Sequence, residues 1–152
     1  LMISPETLRR FNLFAGLDPA VLKDVAMMGD EVRLGKDEWV FHEGDDANAL
    51  FLVLNGSVEL KINLDAQGTR RDDLSTLVAG DVLGWTALVE PYVYTLGAVT
   101  ASDVHLVRLN AAALRNLMEQ DCAVGYHVLK QLANVLGERL TKLRVQFVSL
   151  IV

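Results

Sequence analysis

From residue 31 to residue 109, turn residues cut the chain into short apolar runs, and this punctuation limits the fold more than any other feature. Trp39 to Phe41 leads into His42-Glu43-Gly44-Asp45-Asp46, Leu50 to Leu54 meets Asn55-Gly56, and Leu74 to Val78 is followed by Gly80-Asp81. Asn-Gly between two apolar runs is a strong hairpin signal, because both central residues of the tight turn take positive φ. The strand after it alternates, with Val58, Leu60, Ile62 and Leu64 on one side and Ser57, Glu59, Lys61 and Asn63 on the other. A period of two gives one buried and one wet face. A polar turn at 65–68 and further strands around 96–100 and 104–109 complete the series. Short strands at this spacing predict a double-sheet roll or barrel.

Helical patterns flank these strands. Ser4 before Pro5 and Asp18 before Pro19 are N-cap signals, Val21, Leu22, Val25 and Ala26 share one face, and Gly29 ends the stretch. Asn110 is an N-cap for a short helix over 111–119, and Asp121 starts a longer one. On that last helix Ala133, Leu136, Leu140, Leu143, Phe147 and Leu150 recur at alternating steps of three and four. Such a seam calls for a partner helix and predicts a homodimer, with Val128, Leu129, Leu132 and Val135 left to face the chain's own strands. The expected fold is mainly β with flanking α: a double-stranded β-helix, or jelly-roll-like β-roll, with N-terminal helices and a long C-terminal helix. One domain is expected over 1–152, with helices in 1–30, the roll in 31–109 and helices in 110–152.

Composition removes several function classes. At 51% apolar and 22% charged the chain is of globular type, and no apolar run approaches the ~20 residues that span a bilayer. The start lacks a basic segment, an apolar stretch and a small-residue cleavage site, so a cytoplasmic location is expected. A net charge of −6 repels polyanions. Lys130, Arg139, Lys142 and Arg144 lie on the helix assigned to the dimer, so no DNA partner is expected for the chain as given. No nucleophile, P-loop or paired-cysteine motif occurs, and His42, His105 and His127 fall in different elements, so the chain reads as neither an enzyme nor a metal protein. Asp45-Asp46 and Asp72-Asp73 lack calcium-loop spacing. Cys122 is expected to be a buried, inert thiol.

The segment VAGDVLGWTALVEPYVYTLGAVTA at 78–101, together with Phe41-His42-Glu43-Gly44-Asp45, the run from Leu50 to Val58 and Phe14-Ala15-Gly16-Leu17, resembles the cyclic nucleotide-binding domain family, in the form found in cAMP receptor and Fnr-type regulators. The resemblance covers nearly the whole chain, and Gly44-Asp45, Asn55-Gly56 and Gly80-Asp81 fall at the family's turns. One turn departs, with Asp37 where the family has a glycine. The resemblance implies a non-catalytic sensory module that takes cAMP, cGMP or another small anionic ligand. The alternative it implies is the effector domain of a transcription regulator, here without the DNA-binding domain.

In that family a phosphate-binding cassette, a short helix with open amides assisted by a glutamate and an arginine, holds the ribose and the cyclic phosphate. The resemblance places the cassette at Gly84, Trp85, Thr86, Ala87 and Leu88, with Thr95 and Leu96 following. The glutamate position falls on Trp85 and the arginine position on Thr95. Hydrogen bonds to charged groups are worth about 1.5–3 kcal/mol each, so the two losses imply affinity lower by roughly a hundredfold to ten-thousandfold. Two readings of the pocket stay open: an altered site in which Trp85 or Tyr94 stacks on a ligand ring, and a cavity filled by Trp85. Arg70, Arg71 and Arg108 are other candidates for the missing charge.

Overall fold

In the computed structural model, which describes residues 3–65 and 71–151 and only the backbone of 71–73, eight strands form two four-stranded sheets between helices. The strands are β1 (Gly29–Leu34), β2 (Trp39–Phe41), β3 (Ala49–Asn55), β4 (Val58–Asn63), β5 (Arg71–Leu77), β6 (Val82–Leu83), β7 (Gly97–Thr100) and β8 (Val104–Asn110). One sheet has the order β1-β8-β3-β6 and the other β2-β7-β4-β5, with every pairing antiparallel. Consecutive strands mostly fall in different sheets, so the chain winds between two layers as a β-roll. The inner faces meet through Phe51, Val53, Val58, Leu60, Ala98, Val104 and Leu106. The turn expected at 65–68 lies largely outside the described residues.

The Asn55-Gly56 turn is not the hairpin expected from its sequence: β3 and β4 pass into different sheets instead of pairing, and of the two turn residues only Gly56 takes positive φ. Gly56 sits at φ 90°, and a Cβ there would collide with the Asp103 carbonyl and lie 2.8 Å from a Val104 methyl. Asp37, the residue that departs from the family's glycine, also takes a left-handed conformation at φ 66°. The backbone geometry is kept although the residue is not. The alternation in β4 holds for Val58 and Leu60, which are buried, and fades at Leu64, which is 51% exposed just past the strand end.

Helix α1 (Pro5–Arg9) starts at Ser4, whose hydroxyl accepts from the Glu6 amide at 3.1 Å. Helix α2 (Pro19–Ala26) follows Asp18 at the N-cap, although that carboxylate makes no capping bond. Leu8, Phe11, Leu13, Phe14, Leu22 and Val25 are buried in a second core against the outer side of the β1-β8-β3-β6 sheet. Asn110 caps α3 (Ala111–Gln120) by accepting from the Ala113 amide at 2.9 Å. Helix α4 (Cys122–Ile151) then runs for 30 residues. Gly125 lets α3 and α4 cross closely, since a Cβ there would lie 2.6 Å from the Met118 carbonyl oxygen.

Two expectations about α4 are corrected. Leu129 does not face inward but is 46% exposed. Val124, Val128 and Leu132 form the buried stripe at steps of four, and Leu129 stands one residue, about 100°, off it. Cys122 is exposed rather than buried, because it occupies the first position of the helix at the surface. Among the described residues no helix is long and apolar enough to cross a membrane.

The two glycine turns give a paired test of this geometry. Gly44 also has positive φ, at 92°, but has open space where its Cβ would be. Gly44→Ala should cost about 1 kcal/mol from backbone strain alone, and Gly56→Ala about 3 kcal/mol or more because the collision adds to the strain. Urea unfolding of both variants measures the difference.

Candidate functional site

Between the roll and α4 lies a cavity of about 600 Å³, within the size range of small-molecule sites. Its roll side is walled by Phe41, Leu60, Leu83, Tyr94 and Leu96, and its helix side by Val135, Leu136, Leu140 and Leu143. The segment from Gly80 to Trp85 forms one edge, and Thr95 lies across from it. The short helix expected in the candidate cassette is a single 3-10 turn, Trp85–Leu88, entered through Gly84 at φ 79°.

Not all of the expected site residues reach this space. Gly84, Trp85, Thr95 and Leu96 line it, whereas Thr86, Ala87 and Leu88 are buried away from it as packing residues. Trp85 does not plug the cavity. It is half-buried along the cavity wall and packs against the helical core. Tyr94 is buried, with its hydroxyl donating to the Ala49 carbonyl at 2.6 Å and accepting from the Ala49 amide at 3.3 Å. Its ring is stacked on Phe41 at 3.8 Å, which commits one face before any ligand arrives. Burial raises the Tyr94 pKa above the ordinary tyrosine value, against the lowering effect of its backbone hydrogen bond.

The cassette turn is held from behind by α3. Arg115 donates to the Ala87 carbonyl at 2.5 Å, and its guanidinium lies over the Tyr92 ring at 3.9 Å. This contact links the turn to the helix that leads directly into α4, and nothing in the sequence pattern marked it.

The charge in the site also comes from an unexpected place. Arg108 was one candidate for the missing cation, but it lies on β8 outside the cavity and pairs with Asp30 at 3.1 Å. Arg70 and the side chain of Arg71 lie outside the described residues. Among the described lining residues the cations are Arg139 and Lys142, both on α4. Arg139 donates to the Val82 carbonyl, beside Asp81. Burial lowers its pKa, partly offset by the attraction of Asp81. Its signal was present in the sequence, since Arg139 continues the inward stripe of Val128, Leu132 and Leu136, where an apolar residue would be expected.

The remaining candidates do not converge. His42 stacks on Trp39 at 4.3 Å, His105 lies 3.3 Å from Glu31, and His127 packs near Gly16. No group of three potential metal ligands occurs among the described residues. Asp45 serves its own turn by accepting from the His42 amide at 3.1 Å, and the Asp72-Asp73 side chains lie outside the described residues.

The chain is thus a two-sheet roll closed by a helix over an open cavity, with a short turn at the cavity edge. Residues 31–121, more than half of the chain, match the family model for the cyclic nucleotide-binding domain, and the chain belongs to that family. It is related to regulators of the cAMP receptor type. It is 27% identical over 137 residues to a CRP-like cAMP-activated global transcriptional regulator of Mycobacterium tuberculosis, covering 90% of this chain and 58% of the relative's length. Among solved structures, a protein from Geobacter metallireducens assigned as a cyclic nucleotide-binding protein is 33% identical with a TM-score of 0.82, covering 91% of this chain and 99% of the other. The N-terminal domain of a transcriptional regulator from Streptomyces coelicolor is 27% identical with a TM-score of 0.68, over 87% of this chain and 93% of that one.

Tyr94 provides a test of the cavity wall. Tyr94→Phe removes a buried bridge to Ala49 and should cost about 1–2 kcal/mol near pH 8. A folded-state pKa raised above the unfolded value means that the stabilisation is complete below about pH 10 and is lost as the pH rises further. The stability gap between wild type and Tyr94→Phe should therefore narrow above about pH 10, as followed by urea unfolding across pH.

Proposed function

We propose that this chain is a non-catalytic, cytoplasmic sensory module in which a small ligand enters the cavity between the roll and α4 and changes how that helix sits. The open cavity of about 600 Å³ carries the proposal, because its two walls are the cassette edge and α4 itself. A ligand filling it touches both at once. The Arg115 contact to Ala87 gives a second route from the cassette turn to α3 and on to α4. A ligand shifts such an equilibrium only by the difference in its contacts with the two arrangements, and a ligand lodged between two walls has that difference.

The cassette alone gives weak affinity for cyclic nucleotides. Thr95 brings no charge and is exposed, and Trp85 offers no carboxylate to a ribose hydroxyl. We expect a dissociation constant for cAMP or cGMP no tighter than roughly 100 μM, about −5.5 kcal/mol. Trp85→Glu with Thr95→Arg should tighten cAMP binding at least about tenfold. Isothermal titration of both proteins decides the point. Low-micromolar binding by the unmodified protein would contradict the first expectation, and no gain in the double variant would contradict the second.

The module is further proposed to dimerise through α4. Of the seam, Leu136 and Leu143 are half-buried toward the roll, while Leu140, Phe147 and Leu150 are 58%, 63% and 85% exposed. Tyr126 and Leu129 extend the exposed apolar stripe toward the start of the helix at 68% and 46% exposure. A second copy would cover this stripe. Sedimentation equilibrium at tens of micromolar should give a dimer, and Phe147→Glu with Leu150→Glu, which lie outside the cavity, should give the 16.7 kDa monomer. A wild-type monomer at that concentration would contradict the proposal.

A second reading, the effector portion of a longer transcription regulator, is favoured by the match to the Streptomyces N-terminal domain across 93% of its length. In either reading this chain, with net charge −6, is not expected to hold duplex DNA.

A further inference from the structure

The cavity has its charges the opposite way round from a site that holds its anion at the cassette. On the roll side the charged lining residue among those described is an acid, Asp81, whereas α4 contributes two cations, Arg139 and Lys142, and one acid, Glu138. Asp81 is committed to its own turn, accepting from the Val78 amide at 2.8 Å. Arg139 is half-buried, and its hydrogen bond is to a neutral carbonyl, that of Val82. A guanidinium has five N–H donors in a planar fork, so one carbonyl leaves most of that capacity unused among the described residues. A half-buried cation at the cavity wall, with Asp81 offsetting only part of its charge, favours an anion that can complete its hydrogen bonds.

We infer that the ligand of this module is an amphipathic organic anion whose charged head is taken by Arg139, with Lys142 beside it, and whose apolar or aromatic body lies against Trp85, Leu83 and Leu96. The inference rests on the proposed reading of the cavity as the sensory site and adds the ligand class and the residue that selects it. Trp85 in place of a carboxylate removes an acceptor for sugar hydroxyls and adds an aromatic wall, which favours such a body over a ribose. Because Arg139 belongs to α4, the helix itself grips the ligand. Occupancy then holds Arg139 to the ligand as well as to Val82, and this added contact changes the seating of the helix.

The test uses two probes of similar shape and different charge. 8-Anilinonaphthalene-1-sulfonate is an aromatic anion, and N-phenyl-1-naphthylamine is its neutral counterpart. The chain has two tryptophans, so in a Trp39→Phe background Trp85 at the cavity wall is the single energy-transfer donor, and the Arg139 variants separate binding in the cavity from binding on exposed α4. The anionic probe should bind at least about tenfold more tightly than the neutral one, Arg139→Gln should remove that advantage while leaving the neutral probe within about twofold, and Arg139→Lys should keep most of it. 2-Naphthoate should displace the anionic probe at lower concentration than cAMP does. Unchanged anion affinity in Arg139→Gln, or displacement by cAMP at tenfold lower concentration than 2-naphthoate, would overturn the inference and leave the sensory reading standing. Absence of energy transfer from Trp85 to either probe would overturn both.

Discussion

The seating of α4 on the roll is the contact on which the rest of this molecule depends. Val124, Val128 and Leu132 are buried against the core, and each such side chain contributes on the order of 1.5–3 kcal/mol from burial. Beyond Leu132 the same stripe continues through Leu136, Arg139 and Leu143, but there it covers a cavity rather than a packed core. In the proposed reading, the well-packed half anchors the helix and the other half responds to what fills the space beneath it. Elements near an empty cavity make fewer apolar contacts and open at lower cost than a packed core does. The divided stripe therefore gives one helix both a fixed end and a responsive end.

Much of the roll was legible because its signals are local. The turn at Gly56, the period of two that buries one face of β4 and the Asn110 cap of α3 are each decided by residues close together in the chain, whereas the hairpin expected at Asn55-Gly56 does not form, because the strands it joins pair in different sheets. Leu129 shows where local reading fails. On a helix apolar on several sides, sequence alone does not say which stripe meets the core, and an error of one residue turns a side chain by about 100°. The same ambiguity made the seam from Ala133 to Leu150 look like a single surface, although Leu136 and Leu143 lean to the roll and Phe147 and Leu150 to solvent.

The site was legible where the backbone makes it and illegible where distant side chains do. Gly84 and the turn after it lie where the turn residues of the sequence put them. The side chains of Thr86, Ala87 and Leu88 are buried in the core, which the sequence did not mark because the packing partners lie far away in the chain. Arg115 reaches the cassette across 28 residues and Arg139 reaches Val82 across 57, and no spacing rule links such pairs. Trp85 was read as either a ligand contact or a plug. It lines the cavity while packing against the helical core, a placement that depends on residues far away in the chain.

The central claim is that α4 is a wall of the ligand cavity and responds to its occupancy. Amide hydrogen exchange along α4, with and without saturating 2-naphthoate, tests it most directly. The account predicts exchange that changes over residues 135–143, where the helix covers the cavity, and stays constant over residues 124–132, where it is packed on the core. Exchange that changes only in the roll, with α4 unaffected along its whole length, would contradict it.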